Sequence, residues 1–169
     1  MPESSTIYNI LIGVAIAGVL AYLFYSGRDK KPEENTNPGN RDSNGIRLQA
    51  YERLTLLVDR IAIPNLVSRT QQDGLTVREM QLVLTKNIRD EFDYNITQQI
   101  YITPEVWKAV KDLKENNLLL INQVANALPG NASGLELCRS LLQFTMTDSK
   151  GNLHELVSEA LSFEAKKLL

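Results

Sequence analysis

The sequence predicts an all-α protein: an N-terminal transmembrane helix, a flexible linker, and a soluble domain built like a bundle of four or five helices. Three observations predict it. An apolar run without a charge, "IYNILIGVAIAGVLAYLFY", fills Ile7 to Tyr25. A polar stretch, "SGRDKKPEENTNPGNRDSNG", follows from Ser26 to Gly45. From Ile46 to Leu169, apolar residues then recur every three or four positions, the period of one helix face.

The apolar run comes after a short tail, residues 1–6, "MPESST". Its 19 residues make a helix of about 28 Å, close to the roughly 30 Å hydrocarbon core of a bilayer. Tyr8, Tyr22 and Tyr25 lie toward its ends, as interfacial aromatics do. A cleaved signal peptide needs a basic start and a small-x-small cleavage site, and neither is present. Arg28, Lys30 and Lys31 follow the run and no basic residue precedes it. The expected topology is therefore N-terminus out and C-terminal domain in the cytoplasm. The sequons at Asn95 and Asn131 are incidental in that location. Gly13, Ala17 and Ala21 recur at four-residue spacing, which lets two membrane helices approach closely.

The linker is rich in Asn, Gly and Pro, and its charges cancel: Arg28, Lys30, Lys31 and Arg41 stand against Asp29, Glu33, Glu34 and Asp42. That composition reads as a tether rather than a lipid-binding basic patch.

The remaining 124 residues, 46–169, suffice for one core. The first helix carries Leu48, Tyr51, Leu54, Leu57, Val58 and Ile61 on one face, and Pro64 ends or bends it. Thr76 and Glu79 form a capping box that opens a second helix. Its stripe runs Met80, Val83, Leu84, Ile88, Phe92, Ile96 and Ile100, as far as Tyr101. Thr103 and Pro104 then start a third, carrying Val106, Trp107, Val110, Leu113, Ile121, Val124 and Leu128. Ser133 and Glu136 form a second capping box, before Leu135, Cys138, Leu141 and Leu142. The last helix spans about Leu153 to Leu168, with Leu156, Val157, Ala160, Leu161 and Phe163. Only "LLQFTMTDSKGNL" admits a short hairpin.

Composition excludes several chemistries. The formal charge is −2, and the domain from Ile46 onward has 14 basic against 15 acidic residues, so nothing favours a nucleic acid partner. One cysteine, Cys138, and one histidine, His154, rule out an internal disulfide and a Cys/His zinc site from one chain. GxSxG, P-loop, dinucleotide and HExxH patterns are all missing, so no catalytic, cofactor or metal residue is assigned and no enzyme is expected. The densest chemistry is "NIRDEFDYNITQQIYITPEVW", Asn87 to Trp107. Asp90 and Asp93 can face each other on a helix, with Arg89 four residues before Asp93, which reads as a solvated charged face. Glu91, Asn95 and Gln98 share another face, flanked by Tyr94 and Tyr101. Such amide and aromatic groups either tie helices together or recognise a partner. Tyr51, Glu52 and Arg53 adjoin this candidate surface in the second reading. Trp107 is expected to lock the junction of the two long helices.

Two tracts, "RLQAYERLTLLVDRIAIPNLVSR" (Arg47–Arg69) and "IRDEFDYNITQQIYITPEVW" (Ile88–Trp107), resemble a family of small single-span membrane proteins of unknown function from the Bacteroidota. The resemblance covers most of residues 46–128. It implies an inner-membrane location and a helical cytoplasmic domain, and it carries no assigned activity. The expected function is a membrane-anchored interaction or scaffold module with a protein partner at Glu91, Tyr94, Asn95, Gln98 and Tyr101. The alternatives are self-assembly as a homo-oligomer through Gly13, Ala17 and Ala21, and a small-molecule or metal-binding domain.

Overall fold

Burial of the helical stripes builds one core shared by all six α-helices in a computed structural model that describes residues 38–147 and 153–169. These residues form six α-helices and one 3-10 helix: α1 (Pro38–Ile61), α2 (Ile63–Thr70), α3 (Val77–Tyr94), the 3-10 segment Ile96–Ile100, α4 (Pro104–Ala127), α5 (Gly134–Thr147) and α6 (Leu153–Lys166). Among the described residues no strand forms beyond one isolated bridge, Thr76 to Ser133. The all-helical class holds, with six helices rather than four or five. No helix of the described residues is long and apolar enough to cross a membrane; Ile7–Tyr25, with Gly13, Ala17 and Ala21, lies outside them.

Helix α1 begins at Pro38, eight residues before the expected start at Ile46, inside the stretch read as linker. Proline suits the first helical turn, where its missing N–H would be unpaired in any case. Tyr51, Leu54, Leu57, Val58 and Ile61 are all buried, as their spacing predicts. The helix breaks at Ala62, whose backbone is extended (φ −55°, ψ 130°). Pro64 causes this and separates α2 as a helix of its own, which accounts for part of the extra count. The break strips two carbonyls of their helical donors, and side chains replace them. Arg69 Nη2 donates to the Arg60 carbonyl at 3.0 Å, and Asn117 Nδ2 on α4 donates to the Ile61 carbonyl at 2.8 Å.

Both capping boxes form. The Thr76 and Ser133 backbone N–H groups donate to Glu79 Oε2 (2.8 Å) and Glu136 Oε2 (2.7 Å), and each hydroxyl accepts from the glutamate's own N–H. These hydrogen bonds hold both carboxyls below the usual glutamate range. The two helix starts sit side by side. Gly134 N donates to the Leu75 carbonyl at 2.7 Å and Val77 N to the Ala132 carbonyl at 3.3 Å. A Cβ at Gly134 would meet Met80 Cβ at 2.8 Å, so only glycine lets α5 approach α3 this closely.

Helices α3 and α4 are antiparallel. Gln81 bonds Asn122 and Arg78 bonds Asn126 at one end, while Phe92 stacks on Trp107 at the other, with centroids 5.1 Å apart. Trp107 therefore locks the junction in the way the sequence suggested. Helix α6 lies antiparallel against α1. Asn44 Nδ2 donates to the Leu168 carbonyl at 3.3 Å, and Glu164 acts on the buried Tyr51 hydroxyl, whose pKa burial pushes up. Val157, Ala160 and Leu161 are buried, while Leu156 is exposed against expectation.

Candidate functional site

The sequence that looked most chemical divides at Asn95. Helix α3 stops at Tyr94 rather than running on to Tyr101. The Asn95 N–H bonds the Phe92 carbonyl at 3.0 Å, and its side-chain Nδ2 takes the Glu91 carbonyl at 2.9 Å. The side chain thus replaces the backbone donor that would have continued the α-helix, a known habit of asparagine. The next residues tighten into the 3-10 segment, with Gln98 N to Asn95 O and Tyr101 N to Gln98 O both at 3.0 Å.

That change of period reverses the expected stripe. A 3-10 helix repeats every three residues, so Asn95 and Gln98 share the inner face that follows Phe92. Asn95 and Gln98 are buried, whereas Ile96 (42% exposed) and Ile100 (72%) point outward. The expected core stripe Ile88, Phe92, Ile96, Ile100 is therefore correct only in its first half. The amide pair belongs to the interior, and burial leaves Asn95 inaccessible as a sequon.

Glu91 reaches across to two other helices. Its carboxylate bonds Arg60 Nε of α1 at 2.6 Å and lies 4.0 Å from Arg69 of α2. Asp90 pairs with Lys86 one turn back, and Arg89 and Asp93 are exposed. Sequence spacing cannot find the Arg60 to Glu91 pair, because the partners lie 31 residues apart on different helices.

Above this pair, α1 and α3 diverge into a groove of about 420 Å³. Arg53, Leu56, Leu57 and Arg60 line one wall; Asn87, Asp90, Glu91, Tyr94 and Asn95 line the other. Tyr94 is 75% exposed and Leu56 58% exposed. The Arg53 guanidinium lies over the Tyr94 ring, 5.4 Å from its centroid. Leu56 had no signal of its own in the sequence, since it falls between two core positions. Of the five residues expected to form one surface, Glu91, Tyr94 and Asn95 line the groove. Gln98 is buried below it, and Tyr101 lies further along, its carbonyl accepting from Arg47 Nε at 3.4 Å. Arg53 adjoins as expected, Glu52 is exposed, and Tyr51 is buried in the core.

The other reactive side chains lie elsewhere. Cys138 is buried, and burial pushes its thiol up, so it behaves as a small apolar core residue. His154 is half-buried in the first turn of α6. Among the described residues, no three His, Cys, Asp or Glu side chains converge as metal ligands would.

No curated protein and no solved structure matches the chain. A protein family does match, over residues 3–168, a span that takes in the apolar run as well as the helical domain. The chain therefore belongs to the family of unknown function DUF7935.

Proposed function

We propose that this protein is a membrane-tethered interaction module, not an enzyme, that receives a protein partner in the groove between α1 and α3. One observation carries the proposal: Arg53 stacked on Tyr94 beside exposed Leu56, an arginine–aromatic–leucine cluster left outside the core. Arginine and tyrosine are enriched at the centres of protein interfaces, where a rigid aromatic offers area at low entropy cost. Arg53 holds the Tyr94 ring in place before any partner arrives, which lowers the ordering cost of binding. The Arg60–Glu91 pair fixes the floor of the groove across two helices.

The uncharged run Ile7–Tyr25 supports the tether, and the basic residues Arg28, Lys30 and Lys31 after it support a cytoplasmic domain. Tethering raises the effective concentration of the groove for partners in the same membrane. Crosslinking in cells tests the reading. A photo-reactive residue at Leu56 should trap a discrete partner, and Tyr94→Ala together with Arg53→Ala should abolish the adduct without changing the thermal midpoint. A probe at Leu82, 68% exposed on another part of α3, should not trap it. Identical adducts from both positions would sink the assignment.

A further inference from the structure

Helix α1 runs antiparallel to α3 and the 3-10 segment, so Arg60 meets Glu91, Arg53 meets Tyr94, and Arg47 meets Tyr101. This order brings Ile46 (50% exposed), Ile100 (72%) and Tyr101 (38%) to one end of the domain. It is the end at which the chain comes in from residue 37, because α1 starts at Pro38. The C-terminal turn of α6 reaches the same end, through Asn44 and Leu168.

We infer that this end, the ridge of Ile46, Ile100 and Tyr101, docks on the surface of the bilayer that holds the apolar run. The inference rests on the tethered reading above, and the length of chain outside the described residues argues for it. Twelve residues, 26–37, separate Tyr25 from α1. They can span no more than roughly 42 Å. The two turns of α1 before Ile46 add about 12 Å. The ridge is thus held within reach of the membrane at high effective concentration, so a weak individual affinity suffices. Its chemistry fits the interfacial layer: two isoleucines for the acyl boundary and a tyrosine with a polar tip for the headgroups.

Charge does not drive the contact. Arg47, Lys166 and Lys167 at this end are set against Glu105 and Glu164, and Lys167 is paired with Glu164 at 2.6 Å. The partner surface is therefore a bilayer of any headgroup charge, not an anionic lipid in particular. The groove at Arg53 lies seven residues further along α1, about 10 Å beyond the ridge, so docking leaves it open.

The test uses the full chain reconstituted in phosphatidylcholine vesicles. A cysteine is placed at the ridge by Ile100→Cys and, in a separate protein, away from it by Leu82→Cys. Each takes an environment-sensitive fluorophore; Cys138 is buried and stays unlabelled. Spin-labelled lipids should quench the fluorophore at position 100 about twofold more strongly than at position 82, as insertion to the acyl boundary requires. Adding Ile46→Asp should bring the two to equality. Equal quenching in protein that floats with the vesicles through alkaline washing overturns the docking and leaves the tether standing. Protein that is stripped by the wash overturns the tether and the docking with it. Energy transfer between labelled copies, in place of lipid quenching, assigns the ridge to a second copy of the chain and overturns the lipid assignment.

Discussion

Single side chains settle where helices stop. Asn95 and Asn117 are both buried amides, and each takes a carbonyl that the backbone leaves without its usual donor. Asn117 is the clearer case, because its acceptor, the Ile61 carbonyl, sits at a break that Pro64 imposes from another helix. Leaving a buried carbonyl unpaired costs its desolvation in full. Asn117→Ala should therefore lower stability by about 1–3 kcal/mol in a denaturant titration. A change within error would mean that the carbonyl finds another donor. In sequence, Asn117 looked like one polar residue among several on α4. Its partner is 56 residues away, so no local pattern could mark it.

Whole elements were more legible than their ends. The two capping boxes and the Thr103–Pro104 start follow from side-chain chemistry within four residues, and all three form where the spacing puts them. Their glutamates link stability to pH. Glu79 and Glu136 have carboxyls lowered by hydrogen bonds from Thr76 and Ser133. A group with a lowered folded pKa contributes above its unfolded value and loses that contribution as pH falls through the folded one. Stability should hold at neutral pH and decline from the ordinary carboxylate range downward. The double variant Glu79→Gln, Glu136→Gln should show a shallower acid slope of thermal midpoint against pH. An unchanged slope would assign the acid sensitivity to other carboxylates. The end of α3 departs from its expected position for a reason at the same scale. The stripe Ile88, Phe92, Ile96, Ile100 is a sound α-helical pattern, but the segment after Asn95 follows a period of three.

At the scale of the molecule, one core spans the six described α-helices, from Ala50 on α1 to Leu161 on α6. Small domains with a single core unfold in one cooperative step. A fragment of residues 38–169 should therefore give one transition with the same midpoint by far-ultraviolet circular dichroism and by the fluorescence of Trp107, which packs in that core against Phe92. Separate midpoints would show that α6 or α5 folds apart from the rest. The groove exists only at this scale. Arg53 and Tyr94 sit 41 positions apart, and the antiparallel register of α1 against α3 brings them together.

The sequence by itself determined the helical class, most core faces and the three capped helix starts at Thr76, Thr103 and Ser133. Each of these rests on periodicity or on capping contacts between near neighbours in the chain, and such interactions are written locally. The tertiary structure alone decided that Asn95 and Gln98 turn inward, that Ile96 and Ile100 turn out, and that Glu91 reaches Arg60. Those outcomes depend on which groups other helices bring to the same place. Burial and pairing between distant residues set them, and one-dimensional spacing carries no record of either.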